Sequence, residues 1–81
     1  MKLKKCLEII KTYGFTVFVY PKGHVKECRG IDEAYLVSFE VQRDEQGNIK
    51  QSEMLKKYGS LKVKEIIPSS NHVNIVVEKL F

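Results

Sequence analysis

The chain has no tryptophan, only two prolines and only two cysteines among its 81 residues. Cys6 and Cys28 allow at most one disulfide, so this is not a scaffold stapled by several bridges. Both read as reduced thiols, Cys6 as a small hydrophobe on the apolar stripe of a helix. Uninterrupted apolar runs are only a few residues long, which excludes a helical membrane span. The basic start Met1-Lys2-Leu3-Lys4-Lys5 is followed by Glu8 and Lys11, so no signal-peptide core can be drawn and a cytoplasmic location is expected. No glycine-rich phosphate loop occurs. Cys6, His24, Cys28 and His72 lack the Cys-x2-Cys or His-x3-His spacing of a metal site, so neither metal nor cofactor is expected.

What is present is the composition of a folded protein, 43% hydrophobic and 30% charged. Residues 1–81 read as one domain, and a chain this short buries only about 60% of the surface its unfolded form exposes. The net charge of +4 is unevenly spread. Residues 1–30 are net +5, residues 31–49 net −4, and residues 50–81 net +3. Two basic segments flanking an acidic one suit a polyanionic partner, although solvated lysine-rich surfaces have the same look.

Leu3, Cys6, Leu7, Ile10 and Tyr13 follow helical spacing, which predicts an amphipathic helix over 2–13 with Gly14 as its C′ residue. Lys2, Lys4 and Lys5 crowd its start, where the macrodipole disfavours cations. Strands are predicted at 15–20, 34–43, 61–67 and 73–78, with a short additional strand at 25–28. Pro21-Lys22-Gly23, Asp44 to Asn48, and Pro68 to Asn71 mark turns. Residues 49–53 suit either a returning strand or a helix start capped by Asn48 with Gln51 at the capping-box position. Met54, Leu55, Tyr58 and Gly59 favour a short helix at about 51–58. The expected fold is therefore α+β: a small two-layer domain with an N-terminal helix on a mostly antiparallel sheet of 4–5 strands.

Phe15 to Tyr20 is apolar on both faces: Phe15, Val17 and Val19 on one, Phe18 and Tyr20 on the other. The first set joins the helix stripe in a core with Val37, Phe39, Val41, Leu61, Val63, Val73, Ile75 and Val77. The second lies on an outer face predicted to carry Ser38, Glu40, Lys62, Lys64, Ile66, Asn74 and Val76. Rings interleaved with lysines suit single-stranded nucleic acid, since bases stack on aromatics while cations neutralise phosphates. Phe18 and Tyr20 would form the platform and Lys22, Lys26, Lys62 and Lys64 the electrostatic track. The competing reading is a covered face, because Ile66 and Val76 add apolar surface there.

The stretch from Gly14-Phe15 to Gly23-His24 resembles, in part, the start of the HicA-type toxin family. Those small ribonucleases have a helix, a glycine and an aromatic residue, then a strand leading to Gly-Ser-His. The resemblance implies His24 as a catalytic residue. It covers about twenty residues; no serine separates Gly23 from His24, one extra residue lies between the glycines, and Val73 to Glu78 is strand-like where the family has a helix. The residues themselves predict a small basic protein that acts by binding rather than catalysis. Its partner is single-stranded nucleic acid or, alternatively, another protein, as a homodimer or a small regulator or inhibitor; the ribonuclease reading stands third.

Overall fold

A computed structural model of the chain describes residues 1–25 and 31–80. Its elements, in order, are α1 (Leu3–Ile9), β1 (Gly14–Tyr20), β2 (Val37–Gln42), α2 (Glu53–Tyr58), β3 (Val63–Ser69) and β4 (His72–Glu78). The fold is α+β, with four strands in the order β2-β1-β4-β3. β1 pairs antiparallel with β2 and β3 antiparallel with β4, while β1 and β4 run parallel at the centre. Two helix-plus-hairpin halves thus join along one central seam, giving a mixed sheet.

The core lies between the helices and one sheet face. Leu3, Cys6 and Leu7 of α1 and Leu55 of α2 are buried together with Phe15, Val17, Val19, Val41, Val73, Ile75 and Val77. Val37, Phe39 and Val63, expected in this core, are half-buried at its rim. Register explains the set: Val17 lies between Phe39 and Ile75, and Val19 between Val37 and Val77.

Several element bounds differ from the expectation for local reasons. α1 ends at Ile9, and Ile10 is already extended at φ −78, ψ 122. The Arg43 guanidinium takes the carbonyls of Leu7, Ile10 and Thr12, so Leu7 O bonds to arginine where a longer helix would offer it to Lys11 N–H. Gly14 consequently opens β1 instead of closing the helix. Ser52, rather than Asn48, caps α2: its Oγ accepts from Leu55 N–H at 3.1 Å. Gly59 is the C-cap in right-handed geometry, not the left-handed C′ residue expected. The strand expected from residue 34 begins at Val37, and Val25 lies in no strand; the rest of the 25–28 strand falls outside the described residues.

Ile66 is on the opposite face from the one predicted. A bulge between Val63 and Glu65 inserts one residue and reverses the alternation beyond it, so Ile66 opposes Ile75 and Ile67 opposes Asn74. Pro68 is accommodated because β3 is an edge strand. Among the described residues, no helix is long and apolar enough to cross a membrane.

Candidate functional site

The outer sheet face forms rows set by register. Ser38, Phe18, Val76 and Glu65 make one row, and Glu40, Thr16, Asn74 and Ile67 the next. Phe18 and Tyr20 do lie on this face, but neither is bare. Val76 is 1% and Tyr20 2% exposed, although the helices cover the other side of the sheet. The connection between β1 and β2 supplies part of the cover. Tyr35 sets its ring edge-on to Phe18 at 5.1 Å and to Tyr20 at 6.3 Å, and the His24 imidazole stacks on Tyr20 at 5.1 Å.

Polar contacts fasten this cover. Tyr20 Oη donates to Asp32 O at 2.9 Å and accepts from Asp32 N–H at 3.0 Å. Burial pushes the Tyr20 phenol above its usual range, so it remains a donor. His24 Nε2 meets Asp32 Oδ2 at 3.1 Å, and Asp32 Oδ1 accepts from Ala34 N–H at 2.9 Å. The Ala34 N–H, with His24 second, holds the Asp32 carboxyl below the ordinary carboxylate range. Val25 N–H also reaches Glu78 Oε2 at 3.0 Å. His24, the residue implicated by the ribonuclease resemblance, is therefore engaged with Asp32 and Tyr20.

The expected lysine track is dispersed. Lys22 is exposed in the turn after β1, Lys62 precedes β3, and Lys64 sits at the bulge; Lys26, like Cys28, lies outside the described residues. The paired positions of this face hold Glu40 and Glu65, and Glu78 opposite Tyr20, with Lys64 in the bulge beside Glu65. At the other end of this face His72 Nε2 lies 2.6 Å from Thr16 Oγ1. Gly14 lies against that ring, where a Cβ would stand at ordinary contact distance, 3.4 Å from Nδ1. No local signal in the sequence links His72 to Thr16, 56 positions away.

The basic charge gathers instead where the chain start meets the end of α2. Residues 1–4 run alongside 59–63: Leu3 N–H donates to Leu61 O at 2.8 Å, Val63 N–H to Met1 O at 2.8 Å, and Lys4 N–H to Gly59 O at 3.0 Å. Lys2 and Lys62 are directly opposed in this antiparallel bridge. The bonds flank the pair, making it the closely spaced kind, with Cα atoms about 4.5 Å apart and side chains on one side. Lys4 lies over Gly59, where a Cβ would stand 3.0 Å from its Cγ and 2.6 Å from Leu55 O; glycine permits that approach. Lys56 and Lys57 close the last turn of α2, and Lys5 follows Lys4 on the exposed side of α1.

Lys2, Lys4 and Lys62 therefore meet where the chain start lies beside residues 59–63, and Lys5, Lys56 and Lys57 are exposed on the two helices that lead into this junction. Among the described residues none of the six makes an ion pair. Lys57 Nζ stands 5.3 Å over the Tyr58 ring, which itself stacks on Phe39. Only Lys56 and Lys57 have a ready structural reason, since cations complement a helix C-terminus. Lys2, Lys4 and Lys5 oppose the dipole of α1, whose first turn has no acidic residue and no side-chain cap.

For metal binding, no group of three or more His, Cys, Asp or Glu side chains converges among the described residues. Cys6 is buried, and burial raises its thiol pKa, leaving it protonated and inert. No protein-family model matches the chain, and neither the curated proteins nor the solved structures contain a match to it.

Proposed function

We propose that this protein binds nucleic acid through the phosphate backbone, using Lys2, Lys4, Lys5, Lys56, Lys57 and Lys62 as its contact surface. The observation that carries this reading is the directly opposed Lys2–Lys62 pair, with Lys4 beside it over Gly59 and none of the six lysines in an ion pair among the described residues. Like charges opposite one another in a ladder destabilise it. Local rules broken without compensation tend to mark functional surface, and a line of phosphates would turn the mutual repulsion into attraction.

The mode differs from base stacking. Phe18 and Tyr20 are engaged by Tyr35 and His24, so the sheet face offers little platform for unstacked bases. The lysine surface presents ammonium groups, which contact phosphates and carry no sequence information. Binding is thus independent of sequence and at least as strong for duplex as for single strands.

The test is anisotropy of a labelled duplex and of a labelled single strand with the protein and two variants. Replacing Lys4, Lys5 and Lys62 together by Gln should weaken binding to both probes and reduce the salt slope by about one per lysine removed. Phe18→Ala should leave binding unchanged. Preference for the single strand together with loss of binding in Phe18→Ala would return the site to the sheet face.

A further inference from the structure

The two edges of the sheet are treated differently. On β3, residues 1–3 pair over Leu61 to Val63, a bulge interrupts the ladder, and Pro68 removes a donor. These are the usual devices that stop an edge from recruiting another strand. β2 has none of them between Val37 and Val41: no proline, no lysine, no bulge opposite β1. Its core-side residues Val37 and Phe39 are only half-buried, and the adjoining Tyr35 and Leu36 are 37% and 57% exposed.

We propose that β2 pairs antiparallel with β2 of a second copy about a two-fold axis at Phe39, forming a continuous eight-stranded sheet. Backbone polarity selects that register. Arg43 N–H bonds to Tyr13 O, on the β1 side, whereas Gln42 O accepts Lys50 N–H from the other side. Alternation therefore turns the N–H and C=O groups of Ser38, Glu40 and Gln42 away from β1. Only these residues can pair outward, and Lys50 already occupies the Gln42 carbonyl, which rules out registers centred on Val41 or Gln42 and leaves three symmetric choices. Pairing Ser38 with itself requires Leu36, whose N–H is already given to Val19 O. Pairing Glu40 with itself opposes like charges and requires Gln42, whose carbonyl Lys50 occupies.

The remaining choice sets Ser38 against Glu40 of the second copy, twice. It forms four backbone hydrogen bonds, places a hydroxyl beside each carboxylate, and stacks Val37 and Phe39 against Val41 and Phe39 of the second copy on the core side. The interface is self-complementary, as a two-fold contact must be. It uses none of the six lysines, so its failure and that of the nucleic-acid reading are independent.

The experiment is sedimentation equilibrium over a wide concentration range, with hydrogen exchange at the same concentrations. The wild type should dimerise, with the Ser38 and Glu40 amides protected only at dimer-forming concentrations. Ser38→Glu should raise the dimer dissociation constant about tenfold or more, because each new carboxylate faces Glu40 of the second copy. Adding Glu40→Lys in the same chain should restore the dimer. A monomer at every concentration overturns the proposal, as does a dimer indifferent to Ser38→Glu, and so does exchange protection that does not change with concentration.

Discussion

Replacing Arg43 by alanine should cost more stability than any other single change at a half-exposed position. Its guanidinium donates to four carbonyls: Nε to Thr12 O at 2.8 Å, Nη1 to Gly47 O at 2.8 Å, and Nη2 to Leu7 O at 2.8 Å and Ile10 O at 2.7 Å. It also lies 5.9 Å from the centre of the buried Phe15 ring. One side chain thus ties the end of α1, the approach to β1 and the turn after β2. A lost charged hydrogen bond costs about 1.5–3 kcal/mol, but four sharing one group are not additive and water reaches the exposed end. A net loss of about 3–4 kcal/mol is expected. Against a total stability of roughly 4–12 kcal/mol for a chain of this size, that is a quarter or more. Arg43→Lys keeps the charge without the planar fork and should recover less than half. Urea unfolding followed by circular dichroism measures both, because the chain lacks tryptophan. A loss below about 1 kcal/mol for Arg43→Ala would refute the assignment of Arg43 as the tie between these segments.

Cys6 should resist thiol reagents in the native protein and react at the rate of unfolding, since burial both shields it and favours its neutral form. A raised thiol pKa means its contribution to stability is full below the unfolded value and is lost as pH rises past it, so alkaline unfolding should be delayed in Cys6→Ser controls that remain folded. Asp32 has the opposite sign: its depressed pKa stabilises the cover over Tyr20 above the ordinary carboxylate range, and this is lost as pH falls through and below about 4. NMR titration should show Tyr20 and Tyr35 ring shifts moving in that window, and Asp32→Asn should abolish the movement. Gly59→Ala should destabilise by roughly 1–3 kcal/mol, because its Cβ meets Leu55 O and the Lys4 side chain; an unchanged melting temperature would refute a close approach of these groups at Gly59.

Much of the fold was legible because it rests on local pattern. The apolar stripe of α1, the alternation of β2 and β4 and the turn residues each specify an element within a few positions. The two apolar faces of β1 reflect its place: it is central, flanked by β2 and β4, and its Phe18–Tyr20 end is contacted on the outer side by Tyr35 and His24, where the open platform was expected. What escaped depends on contacts between distant residues. A bulge after Val63 reverses Ile66 without any sequence marker. Arg43 ends α1 through backbone carbonyls, acceptors that every residue carries, so composition gives no hint of the partnership. Lys2 and Lys62 read as separate surface charges until the chain start is laid beside the approach to β3. The basic segments were visible as sums, but which lysines share a surface is a property of topology.

Salt dependence of duplex binding by the wild-type protein probes the lysine surface most directly. Each phosphate neutralised contributes about −0.9 to the slope of log affinity against log salt concentration for duplex DNA. Engagement of four to six of the clustered lysines predicts a slope of roughly −4 to −5. It also predicts that exchanging Lys4, Lys5 and Lys62 for Gln brings the slope close to −1 to −3. Absence of duplex binding at low salt, or a slope that this exchange leaves unchanged, would contradict the assignment of the six lysines as a phosphate-binding surface.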